Sequence, residues 1–130
     1  MQIHESAENY LETILMVQKE KGYVRSIDVA HHLNFSKPSV SRAMTLLKTN
    51  GYIIMDPDGH LHLTETGQEI AERIYERHCL LSQWLTELGV DPQIAAEDAC
   101  RIEHDISEVT FEKIKEHIRD CHHCHLEKAE

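Results

Sequence analysis

The stretch that most restricts what this chain can become runs from Ser26 to Thr64. Ser26 can cap a short helix over 27–33, Asn34-Phe35 make a turn, and Ser36 can cap a second helix that tolerates Pro38 in its first turn. This second helix carries Val40, Ala43, Met44 and Leu47 on one side and stops at Asn50-Gly51, where glycine suits a helix C-terminus. Two short helices joined by a tight turn form a helix-turn-helix. The next residues, "YIIMDPDGHLHLT", read as two strands, 52–56 and 60–63, around a Pro-Asp-Gly turn. Together these elements predict a winged helix.

The second helix is then the recognition helix. It exposes Ser36, Lys37, Pro38, Ser39, Ser41, Arg42 and Thr45, a set of short donors with two cations suited to phosphates and base edges. A formal charge of −10 over 130 residues argues against nucleic acid as a partner. The distribution argues the other way. No acid occurs between Val29 and Met55, where Lys37, Arg42 and Lys48 stand, while twelve of the twenty-three acids lie from Glu87 onward. An acid-free window in an acidic chain is a candidate DNA face.

The flanking sequence is helical. Ser6 can cap a helix whose apolar positions are Tyr10, Leu11, Ile14, Leu15 and Val17, ending near Gly22. Thr64 can cap a long helix through Leu88, stopped by Gly89. Asp91-Pro92 opens another, and Ser107 caps the last. The expected fold is mainly α. It has a winged helix-turn-helix at 1–63 with a small β-hairpin wing, a helical domain at 64–120, and a polar Cys/His tail at 121–130. No apolar run approaches the roughly 20 residues of a membrane span, and the first residues lack signal-peptide character, so a cytoplasmic protein is expected. In a reducing compartment, four cysteines are better read as ligands, redox groups or core residues than as disulfides.

"ACRIEHDIS" sets Cys100, Glu103 and His104 at i, i+3 and i+4, on one face of a helix. The bland reading is a small core thiol beside solvated charges. However, "ENYLETI" offers Asn9 and Glu12 at i and i+3, and "YERHCLL" offers His78. These segments can supply N, O and S donors from three helices to one ion.

"DACRIEHDIS", "RHCLL", "ENYLETI" and "LTETGQEIA" together resemble the diphtheria-toxin-repressor family of iron-dependent repressors and manganese transport regulators, over residues 5 to about 120. The resemblance implies a homodimeric regulator, with metal binding and dimerisation in the helical domain. It would hold a palindromic DNA operator when Fe(II) or Mn(II) binds, and so control metal-homeostasis genes. Cys100, Glu103 and His104 match the metal-binding helix of the iron branch, His78 a ligand position of both branches, and Glu12 an acidic ligand of the manganese branch. Asn9 stands where the iron branch has Met and the manganese branch Asp. The iron branch's ancillary site needs an acid where this chain has Ser82 and a histidine where it has Ala96. A second ion on Glu12, His78 and Glu103 is the manganese-like alternative. The sequence also ends before the SH3-like third domain of the iron branch, as manganese regulators do. A thiolate favours Fe(II), Co(II) or Zn(II), while oxygen donors favour Mn(II), so Fe(II) and Mn(II) both stand.

The tail "CHHCH" falls outside the resemblance. Cys121 and Cys124 have zinc-site spacing, His117 lies one turn earlier and His125 is adjacent, a candidate Zn(II) site set against an ordinary frayed end. Phe111, Ile114 and Ile118 divide between core and dimer seam. The rival function is a winged-helix regulator that answers to thiol redox state, through Cys79 and Cys100, or to a small molecule. Catalysis is not expected, because no Gly-rich loop or oxyanion-hole motif accompanies the Cys–His pair.

Overall fold

The computed structural model describes the backbone from Glu5 to Ala129 and the side chains of residues 6–120. Its elements are α1 (Glu5–Lys21), α2 (Ser26–Leu33), α3 (Lys37–Thr49), β1 (Ile53–Met55), β2 (Leu61–Leu63), α4 (Glu65–Glu87), α5 (Pro92–Asp105) and α6 (Glu108–Ala129). The fold is mainly α with one two-stranded sheet, as the periodicity and turn signals predict. The chain divides into two compact units, Met1–Tyr75 and Glu76–Glu130.

The first unit is the winged helix. Leu11, Ile14 and Val17 of α1, Val29 and Ala30 of α2, and Val40, Met44 and Leu47 of α3 are buried in one cluster with Ile53, Leu61 and Ala71. The antiparallel register pairs Ile53 with Leu63, Ile54 with His62 and Met55 with Leu61. The strands are shorter than expected because Asp56 is drawn into the turn. Its Oδ1 accepts from Asp58 N at 3.0 Å and from His60 N at 2.9 Å. Gly59 completes the reversal at φ +85°.

Two helix starts differ from the sequence expectation. Helix α1 begins at Glu5, so Ser6 lies inside the first turn. Helix α2 begins at Ser26, with Arg25 as its N-cap residue. The Asp28 carboxylate accepts from Arg25 N at 2.9 Å, and a charged acceptor three residues into the helix is stronger there than a serine hydroxyl. The Ser36, Thr64, Asp91 and Ser107 caps form as expected: each side-chain oxygen accepts from a backbone N–H in the first turn that follows.

The hairpin meets the start of α4 at close quarters. Thr64 donates from N to Tyr52 O at 3.0 Å and from Oγ1 to Gly51 O at 2.7 Å. Gly67 sits over the same Tyr52 carbonyl, so near that a Cβ there would fall 2.0 Å from the oxygen.

In the second unit Leu81 of α4, Ala95 and Ala99 of α5, and Phe111 and Ile118 of α6 are buried, while Ile114 is half-buried. No helix among the described residues is long and apolar enough to cross a membrane.

Candidate metal centre and DNA face

Helix α5 is built to present one buried acid. Asp91 caps it, accepting at Oδ2 from Gln93 N and Ile94 N, and Pro92 occupies the first position, where a missing N–H costs nothing. Ala95, Ala99 and Glu103 follow at intervals of four on the buried face. Two alanines leave room, and Glu103 fills it as a fully buried carboxylate. Such a group is costly unless cations or donors surround it.

Three groups do so. His78 Nδ1, from α4, lies 3.0 Å from Glu103 Oε2. His104 Nε2 lies 3.3 Å from Glu103 Oε1. Cys100 Sγ lies 3.8 Å from His78 Nδ1. One ligand atom each of His78, Cys100 and Glu103 falls within 4.8 Å of the others, close enough to converge on one ion. Hydrogen bonding to Cys100, and then to Glu103, outweighs the burial of His78 and pushes its pKa up to about 10.

This donor set fits a divalent transition metal. Thiolate, carboxylate and imidazole are the ligand types such ions take, and the fully buried Glu103 calls for a nearby cation. The structure thus brings together three of the six expected ligands, with His104 bound to one of them. The other two are on α1 in the first unit: Glu12 is buried, and Asn9 is half-buried with its carbonyl accepting from Thr13 Oγ1 at 2.8 Å. Ser82 and Ala96 supply no strong ligand. In the tail set, His117 is exposed on α6, and the side chains of Cys121, Cys124 and His125 lie outside the described residues.

One functional candidate was missed in the sequence. Arg77, beside His78, is buried and donates from Nη1 to Glu103 O at 3.1 Å and to Ile106 O at 3.0 Å. The signal was present: Ile74, Arg77 and Leu81, at i, i+3 and i+7, put a cation in the buried stripe of α4.

On α3, Ser36, Lys37, Pro38, Ser39, Ser41, Arg42 and Thr45 are all exposed, while Val40 and Met44 hold the opposite side in the core. The hydroxyls are partly engaged. Ser36 Oγ donates to Ser39 Oγ at 2.8 Å, and Thr45 Oγ1 donates to Ser41 O at 3.0 Å. Lys37 and Arg42 form no ion pair among the described residues.

A winged helix with an exposed polar recognition helix, joined in one chain to an N/O/S donor cluster around a buried carboxylate, defines a metal-dependent DNA-binding regulator. Two family models match: "Iron dependent repressor, N-terminal DNA binding domain" over residues 2–61, and "Iron dependent repressor, metal binding and dimerisation domain" over residues 64–129. The chain belongs to this iron-dependent repressor family, and it is a metal-dependent transcriptional regulator. It is 36% identical over 111 residues to the transcriptional regulator MntR of Escherichia coli O6:H1, an alignment covering 85% of this chain and 72% of that one. It is 37% identical over 109 residues to the HTH-type transcriptional regulator MntR of Bacillus subtilis strain 168, covering 84% and 77%. Among solved structures, IdeR of T. acidophilum superposes with a TM-score of 0.77 at 25% identity, covering 91% of this chain and 55% of that one. The manganese regulator SloR, at 24% identity and TM-score 0.77, shares the fold over 92% of this chain. This chain spans about half the length of these two solved structures.

Proposed function

We propose that the protein senses Fe(II) or Mn(II) in the cytoplasm and, as a dimer, holds a palindromic operator that controls metal-homeostasis genes. The observation that carries the reading is the buried Glu103 carboxylate with His78 Nδ1 and Cys100 Sγ gathered beside it. His78, Cys100, Glu103 and His104 are the ligands assigned in the second unit. Glu12 and Asn9 are added on the family resemblance alone. When bound, a divalent ion would supply the positive charge that the buried Glu103 carboxylate calls for. His78 would hold the ion through a neutral ring nitrogen, Cys100 through its sulfur and Glu103 through a carboxylate oxygen. A state with this ligand set closed is favoured by the differential binding free energy of the ion, and DNA affinity rises with the population of that state.

The test is operator binding titrated in parallel with Mn(II), Fe(II), Co(II) and Zn(II) under anaerobic conditions, with a chelated control. Binding that needs a divalent ion and survives a change of reductant is the expected result. Binding that persists after chelation and follows the reductant instead would move the function to the thiols of Cys79 and Cys100.

We further assign Cys121, Cys124, His125 and His117 to a separate Zn(II) site, supported by ligand type and by the continuation of α6 to Ala129. Deleting residues 121–130 should remove one tightly bound zinc per chain and leave operator binding intact. Unchanged zinc content refutes the assignment.

A further inference from the structure

Helices end in carbonyls that lack intrahelical donors, and each end must find partners elsewhere. In this chain α3 and α4 solve the problem locally. After α3, Gly51 at φ +81° turns the backbone so that Gly51 N donates to Lys48 O and Tyr52 N to Leu47 O. After α4, Gly89 at φ +107° does the same, with Gly89 N donating to Thr86 O and Val90 N to Leu85 O. Helix α5 has no such glycine. It runs out at Asp105 into extended Ile106, at φ −96° and ψ 148°, and Ser107 immediately begins to cap α6. The donor at the end of α5 is the Arg77 guanidinium, which reaches Glu103 O and Ile106 O from one nitrogen.

The placement is specific to the metal centre. Arg77 and His78 are neighbours on α4, and both address the same residue of α5. Arg77 holds the Glu103 main-chain carbonyl at 3.1 Å, and His78 meets the Glu103 side chain at 3.0 Å. The guanidinium also lies 5.1 Å from the centre of the Phe111 ring, so one buried cation touches α4, α5 and α6. Its charge is matched by the negative end of the α5 dipole and by an aromatic face.

We propose that Arg77 is the positioning residue of the metal centre: by bonding Glu103 O in the last turn of α5 and Ile106 O just beyond it, Arg77 sets the rotation of that helix, so that Cys100 and Glu103 face His78 at ligating distance. Arg77 is not itself a ligand. The proposal rests on the metal-binding reading above and goes beyond it, since removing Arg77 takes away no donor atom. Lys115 pairs with Glu76, a second link between α6 and α4 that does not involve Arg77.

The experiment uses the full chain with Co(II) as the probe. Co(II) reports geometry through its ligand-field bands and sulfur ligation through a thiolate-to-metal charge-transfer band. Arg77→Met is shorter but keeps an unbranched apolar stem, and it removes the donors. It should weaken Co(II) binding by about 10–100-fold, the usual effect of losing an outer-shell partner, and change the ligand-field bands at saturation. Arg77→Lys, one bond shorter and without the planar fork, should fall between Arg77→Met and the parent. A merely structural role would lower the melting temperature of the metal-free protein and leave the saturated spectrum as it was. Parental affinity and spectrum in Arg77→Met overturn the proposal. If that variant does not fold, parental affinity and spectrum in Arg77→Lys overturn it. Cys100→Ser is the control for the reading underneath. Failure of that variant to lose the charge-transfer band means the metal assignment is wrong. A lost band combined with unaffected Arg77 variants means that only the positioning role is wrong.

Discussion

Gly67→Ala sets two effects of opposite sign against each other, and the structure decides between them. Replacing a helical glycine with alanine normally stabilises by up to about 1 kcal/mol through backbone entropy. Here the new Cβ would fall 2.0 Å from Tyr52 O and 3.0 Å from Tyr52 C, both backbone atoms. Clearing even a 3.0 Å contact requires the carbonyl to retreat by about 1 Å. That same oxygen accepts from Thr64 N at 3.0 Å, and the retreat stretches this bond past a useful length. Overpacking costs about 1–3 kcal/mol and a lost hydrogen bond about 0.5–1.5. Set against the propensity gain, the expected result is a net loss of about 1–3 kcal/mol. Urea unfolding followed by circular dichroism reads it directly. The midpoint should fall by on the order of 1 M with the slope unchanged. A variant as stable as the parent, or more stable, refutes the steric argument.

Three further outcomes are expected. Arg42→Ala should weaken DNA binding by about 1–3 kcal/mol and relax sequence preference, while Lys37→Ala should mainly flatten the salt dependence, both read by fluorescence anisotropy across salt concentrations; parental curves for both would show that α3 does not face the DNA. Cys100→Glu exchanges a soft sulfur for a hard oxygen, and activation should shift toward Mn(II) in metal-dependent operator binding; an unchanged ranking of metals removes the sulfur from the ligand set. Burial raises the pKa of Asp28, but the Lys21 ammonium and the Arg25 N–H together outweigh it and hold the carboxyl below the usual range. Its contribution is therefore fully present above the unfolded value of about 3.9 and is lost as pH falls through the lower folded value. Asp28→Asn should cost about 0.5–1 kcal/mol in urea midpoints at pH 6–7, and the gap to the parent should close below pH 4; a gap that widens in acid contradicts the sign.

What the sequence disclosed, and what it hid, follows the range of each interaction. The spacing of Val40, Met44 and Leu47 and the caps at Ser36, Thr64, Asp91 and Ser107 are local, and they place the winged helix and the later helices. The face shared by Cys100, Glu103 and His104 is also local, because helical periodicity alone puts i, i+3 and i+4 together. The start of α2 was misplaced by one residue because serine is the commoner cap, whereas here an aspartate reaches back to Arg25 N. Nothing near Gly67 in the sequence shows that it must be glycine, because the carbonyl that requires it belongs to Tyr52, fifteen positions earlier. The stripe of α4 marks Arg77 as buried but not what it bonds, since its acceptors are 26 and 29 residues away. His78 was tied to Cys100 and Glu103 through resemblance and residue type, and nothing in the local pattern gives the 3.0 Å approach.

An acidic chain that binds DNA needs cations which its own acids leave alone, and the ion pairs show how this one keeps them. Lys21 is paired with Asp28, Arg73 with Glu8, Arg101 with Asp98, Lys113 with Glu116 and Lys115 with Glu76. On α3 the neighbours three and four positions from Lys37, Arg42 and Lys48 include no acid, so the helix offers no internal partner. Among the described residues none of these three cations forms an ion pair, and all are exposed. Moving such a cation onto a phosphate breaks no existing pair and releases counterions from the DNA. The net charge of −10 then acts at longer range, where salt screens it, while the contact surface remains locally basic. The acid-free window is therefore more informative about the partner than the sum of charges, and an acid introduced beside Arg42 on α3 would undo it from within.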